Sequence, residues 1–135
     1  MDAINKCKDI LIKNDKIIFA YIFGSYAKGN DRKDSDIDIA IYLKDNIDTY
    51  EYLDMKMKLS EGVKREVDLV ILNDANPLFK YEIYRDNILL FSKDKAIEGK
   101  YKVKTLFEYN DMKRYLDLSY DKTIERLKEE VNVDG

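Results

Sequence analysis

Residues 24–38 read GSYAKGNDRKDSDID, a Gly-Ser pair followed after a ten-residue spacer by two aspartates two positions apart. Upstream lies KIIFAYIF (16–23), a dense β-branched and aromatic run that predicts a buried strand ending at Gly24. Downstream, SDIDIAIYL (35–43) sets Asp36, Asp38 and Ala40 against Ile37, Ile39 and Ile41. That period of two predicts a strand with one greasy and one polar face, both carboxylates on the polar one. A hairpin loop accounts for the polarity of 24–38 but not for a strand on either side of it.

Working outward, residues 2–13 place Ile4, Cys7, Lys8 and Leu11 at helical spacing behind Asp2 as N-cap. Ile47, Tyr50, Leu53, Met57 and Leu59 predict a helix over 46–62 with Gly62 as C-cap. REVDLVIL (65–72) reads as a third strand with Glu66, Asp68 and Val70 on one side. Pro77 opens a short helix to Arg85, and NILLFS (87–92) is a fourth strand. From about Asp94 to Glu130 the chain reads as helix, with Val103, Leu106, Phe107, Tyr115, Leu116, Tyr120, Ile124 and Leu127 as a broken apolar stripe. With no repeat, low-complexity run or Pro/Gly-rich linker, residues 1–135 are expected to form one domain of the α+β class.

Composition narrows the chemistry. The 135 residues are 45% apolar, enough for one modest core, and no run approaches a membrane span; the N-terminus mixes charge into its apolar positions, unlike a secretory signal. A cytoplasmic protein without a membrane role is expected. Cys7 is alone, so neither an internal disulfide nor a thiolate metal cluster is available. Histidine is absent, which removes Ser-His-Asp catalysis, imidazole bases and His-zinc sites. A net charge of -3 argues against direct nucleic-acid binding through a basic patch but leaves a nucleotide ligand open.

Alternate residues of one strand hold their Cα atoms roughly 6.6 Å apart, so Asp36 and Asp38 can converge on one ion. As a bare pair they repel; a divalent cation turns the penalty into binding. All-oxygen ligation points to Mg²⁺ or Mn²⁺, with substrate phosphates completing the shell. At the other end, Tyr26, Ala27 and Lys28 form about one helical turn whose first amides face an anion. Gly24 admits close approach and Ser25 adds a hydroxyl donor, while Lys28, Arg32 and Lys33 are candidates to neutralise phosphate charge. A Walker A loop is excluded because Asn30 follows Gly29. A two-metal phosphoryl displacement asks for a third carboxylate, for which Asp68 is favoured over Glu66.

Gly24-Ser25, the spacer, Asp36-Ile37-Asp38 and Asp68 together resemble the signature of the DNA polymerase β-like nucleotidyltransferase superfamily. The short chain and the ending NPLFKYEIYRDNILLFS with its helical tail are similar to the minimal MNT antitoxin branch. The resemblance covers roughly residues 16–92 and, more loosely, the tail. Asp86-Asn87 departs from it, standing where a glycine turn is expected.

The resemblance implies a mixed sheet of about four or five strands flanked by helices, a long C-terminal helix, and transfer of AMP from ATP with pyrophosphate leaving. Asp36, Asp38 and Asp68 would hold the metals and serve catalysis, and Gly24 and Ser25 would grip the triphosphate. The implied acceptor is a tyrosine of a partner HEPN-domain toxin, in a hetero-oligomer. The chain has no room for the added helical domain with which small-molecule enzymes of this superfamily shape an acceptor pocket. Transfer to a small molecule, and a non-catalytic antitoxin acting by contact through Tyr109, Tyr115 and Tyr120, are the alternatives.

Overall fold

The computed structural model describes residues 2–29 and 36–134, with side chains through Val131. The chain runs α1 (Ala3–Ile12), β1 (Ile17–Phe23), α2 (Gly24–Ala27), β2 (Ile37–Leu43), α3 (Thr49–Val63) and β3 (Val67–Ile71). A 3-10 turn (Leu72–Asp74), α4 (Pro77–Arg85), β4 (Asn87–Ser92) and α5 (Lys95–Asp134) follow. The four strands form one mixed sheet in the order β3-β2-β1-β4. β1 is antiparallel to both β2 and β4, whereas β2 and β3 run parallel. A parallel pair needs a crossover, and α3 supplies it.

β1 is central and all seven of its residues are buried, which is why its sequence carries no polar position. Cys7 and Leu11 of α1, Met55 and Leu59 of α3, and Ile37, Ile39 and Ile41 of β2 pack together on one face. Cys7 is a core residue whose thiol burial pushes up to about 11, so it is inert near neutrality. The other face holds Phe19, Tyr21, Ala40 and Leu72 beneath Ile83 of α4 and Tyr101 of α5. The polar side of β2 is therefore polar only at its first residues. Ala40 is fully buried, and Tyr42 stacks on Phe19 with ring centres 4.9 Å apart.

Local chemistry fixes the helix ends. The side chains of Asp2, Asp48 and Asn76 accept from the backbone N–H groups of Asn5, Glu51 and Phe79, each an N-cap, and Pro77 occupies the first turn of α4. Asp94 accepts from the N–H groups of Ala96 and Ile97 and starts α5.

Gly62 is not the C-cap of α3 that its position in the sequence suggests. The helix continues to Val63 and closes at Lys64, which takes the left-handed conformation with φ 57°. Gly62 instead lets α1 approach, since a Cβ there would stand 2.8 Å from Ile10 Cδ1. No glycine is required at Asp86-Asn87 either. Asp86 is extended, and the Asn87 amide donates to the carbonyls of Ile83 and Tyr84, satisfying the last turn of α4.

α5 spans 40 residues, about 60 Å at 1.5 Å per residue. Its first turns join the core: Glu98 is buried and accepts a 2.8 Å hydrogen bond from the Tyr21 hydroxyl. Tyr109 stacks on Tyr81 of α4 with ring centres 3.7 Å apart. Beyond Asn110 most side chains are exposed, Tyr115, Leu118, Tyr120 and Val131 among them. Among the described residues no helix is long and apolar enough to cross a membrane.

Candidate active site

One end of the sheet gathers a row of cross-strand neighbours. Phe23 at the end of β1 faces Asn87 on one side and Asp38 on the other, and Asp38 is the register partner of Asp68. The parallel pairing of β2 with β3 makes this possible, because both strands enter the sheet from the same end. The Ile37 N–H donates to the Glu66 carbonyl at 3.0 Å and sets that register. Glu66 lies before β3 and is exposed, whereas Asp68 stands directly beside Asp38.

Asp38 is half-buried and its carboxyl is pushed up to about 6. Burial is the first cause, followed by the charge of Asp68, a hydrogen bond shared with it, and the charge of Asp36. Asp36 precedes β2 and is exposed. Among the described residues no three acidic, cysteine or histidine side chains are grouped closely enough to hold a metal ion as they stand. The three carboxylates expected to meet thus divide into a joined pair, Asp38 and Asp68, and a neighbour, Asp36, felt through its charge.

α2 begins immediately after β1. Gly24 has φ +72°, and a Cβ at this position would collide with the carboxylate of Asp38. Only glycine lets the turn close down on that carboxylate, which ties the two ends of the 24–38 motif together across space. Ser25 is half-buried in the first turn of α2, and Lys28 is the exposed C-cap. Gly29 has φ +77°, and a Cβ there would meet no atom of the described residues within 4 Å. Arg32 and Lys33 lie outside the described residues.

Sequence reasoning passed over Arg65. Its guanidinium stands over the Tyr26 ring, 6.0 Å from the centroid, and so braces α2 from the β3 side. The available signal was a basic residue just ahead of the acidic strand.

The donor set fits a hard divalent cation. Its oxygens are carboxylate and hydroxyl, and Asp38 carries an upward shift caused by burial and then by the neighbouring charges of Asp68 and Asp36.

Comparison with known proteins agrees with this geometry. Residues 5–96 match the family described as polymerase beta, nucleotidyltransferase. The protein adenylyltransferase MntA of Shewanella oneidensis is 30% identical over 115 residues, covering 83% of this chain and 82% of that protein. A chain of a toxin-antitoxin crystallised with AMP-PNP superposes with a TM-score of 0.79 at 27% identity, covering 90% of this chain and 98% of that one. A Shewanella oneidensis complex of a tri-AMPylated HEPN toxin with an MNT antitoxin shares the fold, with a TM-score of 0.69 at 24% identity over 87% of this chain and 96% of that one.

Proposed function

The chain belongs to the polymerase beta nucleotidyltransferase family, and from that premise we propose that it transfers AMP from ATP to a tyrosine hydroxyl of a HEPN-domain toxin, acting as its antitoxin. The observation that carries this reading is the pairing of Asp38 with Asp68 beside the Gly24 turn. The name of the Shewanella relative and the nucleotide analogue in the toxin-antitoxin neighbour support the same chemistry. Residues 1–135 are read as one catalytic unit, and a reaction that consumes ATP suits the cytoplasm.

In this reading Gly24, Ser25 and the first amides of α2 grip the triphosphate, and Lys28 and Arg32 offset its outer charge. Asp36, Asp38 and Asp68 would hold Mg²⁺ or Mn²⁺, which supplies neutralisation of the phosphates and acidification of the acceptor hydroxyl. An unperturbed tyrosine has a pKa of about 10, so the acceptor also needs a base, and in this reading the Asp68 carboxylate takes its proton as the new bond forms. The acceptor oxygen forms the new bond to the α-phosphorus, the bond to the β-phosphate bridging oxygen breaks, and pyrophosphate departs with that electron pair.

A protein acceptor accords with α5. Its far half leaves Tyr115, Leu118 and Tyr120 exposed, a surface suited to a partner. Tyr109 is withdrawn from that role by its stack on Tyr81. The same helix would also serve an antitoxin that acts by contact alone. The two are separated by incubating the purified chain with labelled ATP, Mg²⁺ and the HEPN partner. Label on the partner that disappears with Asp36→Asn/Asp38→Asn supports transfer. Neutralisation that survives this double substitution, without label, supports contact.

A further inference from the structure

At the end of β2 opposite Asp38, a second cavity of about 480 Å³ opens between the sheet, α4 and the first turns of α5. Tyr42 and Tyr101 form its aromatic wall, and Lys44, Lys80, Lys100 and Lys104 line it together with apolar groups. No carboxylate lines it. In a protein of net charge -3, four ammonium groups around one hollow are a local reversal of sign.

One of these lysines is buried and three are exposed. Lys80 is nine-tenths buried and makes a 2.8 Å ion pair with Glu108. Lys104 reaches the same carboxylate only at 3.9 Å. Lys44 and Lys100 have no carboxylate partner among the described residues. Lys100 and Lys104 are four apart on α5, a spacing at which like charges repel. Among the described residues Glu108 is thus the one acidic group that faces the cluster through an ion pair, and an anion would relieve the remainder.

The wall adds a second preference. Tyr42 is half-buried and presses one ring face on Phe19, while Tyr101 leans against both at 5.2 and 5.7 Å. Tyr101 is 7% exposed, and its hydroxyl lies near that of Thr105. Flat apolar surface beside clustered ammonium groups selects a ligand with a planar ring and several negative charges, and the volume falls within the range of small-molecule sites. We propose that this cavity is a second, metal-independent binding site for a nucleoside oligophosphate. It is distinct from the Asp38 end, since Tyr42 lies four residues, roughly 13 Å, further along β2.

The test is calorimetric titration of ATP into the full chain in EDTA. Wild type and Asp36→Asn/Asp38→Asn are expected to bind with the same affinity. Lys44→Glu/Lys100→Glu, reversed at two exposed positions that leave the core intact, is expected to bind at least tenfold more weakly with an unchanged melting curve. Inorganic triphosphate is expected to bind at least tenfold more weakly than ATP. Metal-free binding that is lost in Asp36→Asn/Asp38→Asn, or unmoved by the lysine reversals, would overturn the assignment. Triphosphate binding equal to ATP would overturn its nucleoside part. Because the readout is binding without metal, it is independent of whether transfer to a HEPN protein occurs.

Discussion

Asp38 on β2 and Asp68 on β3 are direct neighbours across a parallel strand pair, and burial, joined by the charge of Asp68, pushes the Asp38 carboxyl up to about 6. The folded state therefore holds a proton that the unfolded chain, with an Asp38 pKa of 3.8, releases sooner. Stability from this group is fully present below about 3.8 and is lost as pH rises through about 6. In metal-free buffer Asp38→Asn should be more stable than wild type at pH 7, on the order of 1 kcal/mol once solvent screening is discounted. Near pH 3.5 the two should converge. Urea melts of both proteins across that range read the difference directly, and a gap independent of pH would disprove the raised Asp38 pKa.

Gly24 and Gly29 both sit at positive φ, yet only Gly24 faces the Asp38 carboxylate. Gly24→Ala should cost about 1–3 kcal/mol of stability and reduce nucleotide transfer at least a hundredfold. Gly29→Ala carries only the backbone strain, about 1 kcal/mol, because its surroundings are open. Thermal melts paired with transfer assays separate the two.

Glu98 is 4% exposed, accepts from Tyr21 and lies 3.3 Å from the Lys102 ammonium. Burial opposes its ionisation, but the Tyr21 hydrogen bond and the Lys102 charge outweigh that and hold it below the usual glutamate range. Its contribution is present above the unfolded-state pKa and fades as pH falls through the folded one. Glu98→Ala strands the Tyr21 hydroxyl and should cost about 2–3 kcal/mol at pH 7. In a Tyr21→Phe background the same change should cost less, a coupling that a double-mutant cycle measures.

The far half of α5 contributes little to the core, so a chain ending at Asn110 should keep a melting temperature within about 5 °C of the full protein. Its capture of the HEPN partner should fall at least tenfold. Retained capture would move the docking surface back to the sheet and α4.

Much of this architecture was legible in the sequence because single local rules decided it. The unbroken apolar run of β1, the alternation after Asp36, the cap at Asp2 and the proline that opens α4 each report one element. The boundaries of α4 and β4 coincide with Pro77–Arg85 and Asn87–Ser92 as read. What stayed hidden depended on tertiary contacts. Gly62 looked like a helix stop, but its missing side chain makes room for Ile10 of α1. Asn87 replaces the expected glycine by bonding two carbonyls of the preceding helix. Arg65 gained significance only when β3 placed it beside Tyr26. At the candidate site, the spacing of Asp36 and Asp38 spoke of one shared face, while register made Asp68 the nearer partner of Asp38.

The most direct measurement is manganese anomalous diffraction from crystals grown with a non-hydrolysable ATP analogue. The account predicts a peak about 2.1 Å from carboxylate oxygens of Asp38 and Asp68, with Asp36 drawn into the same shell and the analogue's phosphates against Gly24 and Ser25. Manganese bound elsewhere, or a nucleotide seated with these aspartates empty of metal, would contradict it.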